Sequence, residues 1–170
     1  TCLALPTACA GGGGTPETGA PAADETSIVL SDSGVEVDGQ AAPDSADAAV
    51  YVGADIVYYE DGRDETYGEG AEEDAHTAEE AAAHTVVTIT QPGTYRVSGT
   101  LSRGQLAVDL GEDAEEDPEA VVTLILDGAD ITCTVAPAVI FYSVYECGPG
   151  DEEDASPAVD TSAAGANVVL

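Results

Sequence analysis

The chain has 170 residues, with 34 Asp and Glu against three Arg, no Lys and two His, for a formal net charge of −31. That balance excludes nucleic acid and anionic membrane surfaces as partners, because both require a basic face; divalent cations, basic partners and neutral ligands remain. Hydrophobic residues make up 44% but include only seven Tyr, one Phe and no Trp, so one domain, with or without a tail, must build its core from Val, Ile, Leu and Ala.

Residues 1–24 read as tether. Small residues precede Cys9 in "PTAC" and a Gly-rich run follows, the layout of a bacterial lipoprotein signal cleaved before an acylated Cys. Pro6 stands where such signals usually carry Leu. Cys9 is therefore the expected lipidation site, and a lipid anchor the expected membrane attachment of an exported protein. No segment reaches the ~18 apolar residues that span a bilayer.

From Thr26 the composition turns to short strands between glycines: "TSIVL", "GVEVDG", "AVYV" and "DIVYYEDG". The run "TYGEGAEEDAHTAEEAAAH" breaks this scheme. Thr77 followed by Glu80 forms a capping-box pattern, and the Ala/Glu run behind it predicts one or two helical turns without an apolar stripe, a surface excursion. Strands resume at Val86. Alternation places Val87 with Ile89, Tyr95 with Val97, and Leu106 with Val108 and Leu110, and it exposes Gln105, Ala107 and Asp109; Val122, Leu124 and Leu126 share a further face. "ADITCT", "AVIFYSVYEC" and "ANVVL" complete the set. Asp-Gly pairs at 38–39, 61–62 and 127–128 predict turns.

An antiparallel sandwich and a β-solenoid could each take this pattern. The apolar character of both faces of "VVTLIL" and "AVIFYSVY" favours the solenoid. Cys133 and Cys147 are predicted to pair, closing a loop whose cross-link contributes about 3 kcal/mol; two free buried thiols are the alternative.

The acidic loop "DLGEDAEEDPE" gathers Asp109, Glu112, Asp113, Glu115, Glu116 and Asp117 between two strands. Calcium takes six to eight hard oxygen ligands, which such loops can supply, so this loop is the predicted calcium site; a solvated charge run is the alternative. His76 and His84 lie eight residues apart, about 12 Å along a helix, too far for one metal ion, and read as surface residues.

The phrases "ITQPGTYRVSGTLSRGQLAVD" and "VTLILDGADITC" resemble the carbohydrate-binding β-helix family of bacterial surface proteins, typified by a cellulose- and pectin-binding member. The resemblance covers roughly residues 26–144, with the Ala/Glu excursion as an insertion. It implies an all-β fold, a right-handed parallel β-helix over residues 25–170 with short helical and acidic-loop insertions. Gly93, Gly99 and Gly104 would be its corners. It also implies calcium between coils, export with a lipid anchor to the cell surface, and binding of plant cell-wall polysaccharide such as cellulose or pectin. Family members continue past the point where this chain stops, which implies missing C-terminal coils and an open edge prone to self-association.

With no Trp, sugar stacking falls to tyrosines, and Tyr58, Tyr59, Tyr142 and Tyr145 are the predicted carbohydrate contacts. Catalysis is not expected. A polysaccharide lyase needs a base and only Arg63, Arg96 and Arg103 exist, while no compact motif announces the placed carboxylate pair of a hydrolase. A self-assembling structural surface protein is the other reading.

Overall fold

A computed structural model describes residues 25–60, 62–68, 70–146 and 164–170. Residues 1–24, with Cys9, and Cys147 lie outside the described residues. The strands are β1 (Glu25–Leu30), β2 (Glu36–Val37), β3 (Gln40–Ala41), β4 (Val50–Gly53), β5 (Thr85–Ile89), β6 (Gly93–Leu101), β7 (Gly104–Asp109), β8 (Val122–Ile131), β9 (Val139–Ser143) and β10 (Ala166–Val169). They form a six-stranded sheet in the order β10-β8-β6-β1-β2-β3 and a four-stranded sheet in the order β4-β5-β7-β9.

This arrangement corrects the expected right-handed parallel β-helix. Strand pairing is mixed: β1–β2, β2–β3 and β4–β5 run antiparallel, whereas β1–β6, β6–β8, β8–β10, β5–β7 and β7–β9 run parallel. The two mixed sheets enclose an apolar layer between them, as in a sandwich. Asp38 and Gly39 explain part of the departure. Both sit at left-handed φ, 51° and 75°, which suits a tight hairpin and folds β3 back on β2.

Alternation along the strands was legible and sets the core. Ile28, Leu30, Tyr95, Val97, Leu101, Val122 and Leu124 from the first sheet meet Val50, Val87, Ile89, Leu106 and Val108 from the second. None is more than 3% exposed. Each large apolar side chain so buried contributes about 2 kcal/mol. Parallel pairing in register stacks like on like: Ile28 lies beside Val97 and Val97 beside Leu126, while Val87 lies beside Leu106 and Leu106 beside Val139.

Arg96 faces away from this core. Its guanidinium meets Glu25 through Nε at 2.6 Å and Asp127 through Nη1 at 3.2 Å, so one cation ties β1, β6 and β8. These hydrogen bonds, Glu25 first, hold the guanidinium above its ordinary pKa. Asp127 and Gly128 do not form the predicted turn. The β6–β8 register jumps from Val97–Leu126 to Gly99–Ala129, so the pair bulges within β8 opposite Ser98. Gly99 likewise lies inside β6 rather than at a corner.

The Ala/Glu excursion folds as read. Helix α1 (Ala78–Ala82) carries a complete capping box: Thr77 Oγ1 accepts the Glu80 amide at 3.1 Å, and Glu80 Oε2 accepts the Thr77 amide at 2.8 Å. The Thr77 amide, and after it the Thr77 hydroxyl donating to the same Oε2 at 2.9 Å, hold the Glu80 carboxyl below its usual range. The helix buries no residue.

Gly99 has φ of 89°, and an added Cβ would overlap the Leu30 carbonyl oxygen. Gly99→Ala is expected to destabilise the fold by about 3 kcal/mol, read by chemical denaturation, since both the conformation and the clash oppose it.

Candidate functional site

The outer face of the second sheet is covered, contrary to the sequence reading that exposed it. Val86, Ala107 and Ile140 point away from the main core and pack beneath Ile56, Val57 and Tyr142. Gln105 and Ala107 are both 0% exposed. The buried Gln105 amide fixes this cover. Its Oε1 accepts the Val57 amide at 2.9 Å, and its Nε2 donates to the Val57 carbonyl at 2.8 Å and to the Pro137 carbonyl at 3.0 Å. A glutamine amide is suited to this role, since one planar group both donates and accepts, as an adjoining strand would.

The clamp holds Tyr59, two residues beyond Val57, beside the end of the second sheet. There a cavity of about 620 Å³ opens between Tyr59, the acidic turn and the end of β9. Asp109, Gly111, Glu112 and Glu115 line one part of it, Tyr142 and Ser143 another. The register of β9 explains how the last two come to line the same cavity. Val108 pairs with Phe141 but Asp109 pairs with Ser143, leaving Tyr142 as the extra residue of a bulge. Bulges re-aim side chains in this way. Ser143 is 4% exposed, and its carbonyl accepts the Leu110 amide at 2.9 Å.

The predicted metal and sugar residues thus partly converge. Asp109, Glu112 and Glu115 share the cavity with Tyr59 and Tyr142; Asp113, Glu116 and Asp117 instead face a neighbouring depression of about 590 Å³. The loop forms a 3₁₀ turn over Glu112–Glu116. Asp109 Oδ1 accepts the Gly111 amide at 3.0 Å and Asp117 Oδ1 the Glu119 amide at 2.9 Å. The fit to calcium is poor: among the described residues no group of three or more Asp, Glu, His or Cys is gathered to hold a metal ion.

Tyr58 and Tyr145 stand apart from the cavity. Tyr58 is 8% exposed; its hydroxyl bonds His76 Nε2 at 3.0 Å and its ring stacks on that imidazole. Tyr145 is half-buried, and its backbone amide donates to the Ala120 carbonyl at 3.2 Å.

His84 is not the surface residue expected. It is 5% exposed, with Nδ1 2.8 Å from the Glu80 carbonyl and Nε2 3.1 Å from Thr134 Oγ1. It fastens the end of α1 to the loop after β8. The carbonyl needs a donor and the Thr134 amide, at 3.4 Å from Nε2, needs an acceptor, so this surrounding suits the Nδ1–H tautomer. In the same loop Cys133 is a half-buried free thiol. Its expected disulfide partner, Cys147, lies outside the described residues.

A family model described as carbohydrate-binding domain-containing protein matches residues 83–147. That span runs from the end of α1 past β9 and supplies every lining residue of the cavity except Tyr59. Neither the curated proteins nor the solved structures contain a match to the chain.

Sequence reasoning missed Gln105 and Ser143. A glutamine within "GQLAVDLG" gives no local sign that chain from residues 56–57 will cover it, and the bulge that brings Ser143 opposite Asp109 has no signature in "AVIFYSVY". Gln105→Leu would leave the Val57 amide and two carbonyls without their partner, at a cost of about 3 kcal/mol. It is expected to lower the unfolding midpoint and to raise the rate of amide exchange at Val57, read by hydrogen exchange.

Proposed function

We propose that the chain is a non-catalytic carbohydrate-binding module that holds its sugar in the cavity between Tyr59, Tyr142 and the acidic turn. One observation carries this reading. Two tyrosines that the sequence nominates for sugar contact line a single cavity with three carboxylates and a buried serine, within or beside the span matched by the carbohydrate-binding family model. Aromatic surface with a few polar groups is the usual make-up of a small-ligand site. Carboxylates accept hydrogen bonds from sugar hydroxyls, and Ser143 can donate or accept. Among the described residues no Arg or His lines the cavity.

The setting in this proposal comes from the sequence: an exported chain, tethered through an acylated Cys9, binding polysaccharide at the cell surface. The test is calorimetric titration with cello-oligosaccharide and oligogalacturonate. Tyr142→Ala is expected to weaken sugar binding about tenfold, equivalent to about 1.4 kcal/mol. Tyr67→Ala, at an exposed ring outside the cavity, is expected to change nothing. An absence of heat with every sugar would overturn the proposal.

Because the described residues gather no ligand set for calcium, sugar affinity is expected to be equal in millimolar calcium and in chelator, measured by the same titration. A strict calcium requirement would mean that the carboxylates of the turn close on an ion when sugar binds.

A further inference from the structure

The charge around the cavity bears on which sugars it can hold, an inference that rests on the sugar-binding reading above. Asp109, Glu112 and Glu115 line the cavity with no basic side chain among them. The chain's three cations are placed elsewhere. Arg96 is bound to Glu25 and Asp127 on the first sheet, Arg63 is bound to Glu60, and Arg103 is exposed in the turn between β6 and β7. The adjoining depression shares Glu112 and Glu115 and adds Asp113, Glu116 and Asp117, so the negative field extends past the rim. In a concave site of one sign such a field concentrates ligands of the opposite charge.

Ser143 supplies an independent observation. It is 4% exposed and lines the cavity, and among the described residues its hydroxyl has no hydrogen-bond partner. A buried hydroxyl left unpaired is costly, and native structures rarely retain one without a ligand or water to satisfy it. It pairs with Asp109 across the β7–β9 ladder, and both line the cavity, so a neutral donor and acceptor shares that space with a carboxylate. A sugar ring with a hydroxyl next to an ammonium presents the complementary pair.

We propose that this cavity selects amino-sugar glycans carrying free ammonium groups, as in oligomers of glucosamine, over neutral glucans and over uronates. A neutral glucan satisfies Ser143 and the tyrosine faces but leaves the carboxylates without a counter-charge. A uronate adds a further negative charge to a site that has no cation to receive it. The N-acetylated oligomer keeps the shape and loses the charge, which separates stacking from ion pairing.

The experiment titrates the whole chain with four oligosaccharides of equal length: glucosamine, N-acetylglucosamine, glucose in β-1,4 linkage, and galacturonate. It is run at mildly acidic pH, where the amine is protonated. The glucosamine oligomer is expected to bind at least about tenfold tighter than the N-acetylated and neutral ones, with galacturonate weakest, and its advantage is expected to shrink with added salt. The double substitution Glu112→Gln and Glu115→Gln is expected to cut glucosamine affinity about tenfold or more, since charge-assisted hydrogen bonds become neutral ones. Glu36→Gln with Glu73→Gln removes the same charge from exposed positions outside the cavity and is expected to leave affinity unchanged, which separates the site from the general field of an acidic protein. Equal affinity for glucosamine and neutral oligomers would overturn the selectivity and leave the sugar site standing. Equal losses from the cavity and remote pairs would also overturn it. Silence with all four would remove the sugar-binding reading itself.

Discussion

The side-chain amide of Gln105 is the contact on which the cavity end of the molecule depends. A strand in the middle of a sheet has its backbone groups satisfied by neighbours, so segment 54–60 cannot join the second sheet through β7. It docks on the sheet's face instead, and Gln105 supplies the hydrogen bonds that a strand edge would have given to Val57. The apolar contacts of Ile56 and Val57 with Val86, Ala107 and Ile140 provide the burial; the amide sets position and direction. Without that anchor Tyr59 would belong to a surface loop rather than to the wall of a cavity.

A second consequence follows from how the two sheets are stacked. Parallel, in-register pairing places branched side chains in columns, and such columns tolerate little change along the strand. Most of the acidic side chains among the described residues lie in the connections. The connection between β7 and β8 turns tightly through Glu112–Glu116, a turn in which only Ala114 is buried, leaving its carboxylates outward. The charge of the chain is thus concentrated at the ends of the strands, one of which forms the cavity.

Irregularities in the ladders matter as much as their regularity. The bulge at Asp127–Gly128 sets Asp127 within reach of Arg96, and the bulge at Tyr142 lets β9 present both a ring and a buried hydroxyl to the same space. In each case one extra residue shifts a side chain that strict alternation would have sent elsewhere. The first contributes to holding the sheet together and the second shapes the cavity.

The amino-acid sequence alone determined the local features: the strands around Val87, Tyr95, Leu106 and Val122, the inward partners along each, the Thr77–Glu80 capping box and the Asp38–Gly39 hairpin. These depend on neighbours within a few residues, through side-chain period and backbone preference. It also nominated Tyr59, Tyr142, Asp109, Glu112 and Glu115, because aromatic rings and clustered carboxylates are conspicuous in any context. Only the tertiary structure decided the mixed pairing of the sheets, the burial of Gln105 and His84, and the withdrawal of Tyr58 onto His76. Each of these turns on contacts between residues far apart in the chain, such as Gln105 with Val57 or His84 with Thr134. A residue's own neighbours in sequence carry no record of which distant segment will cover it.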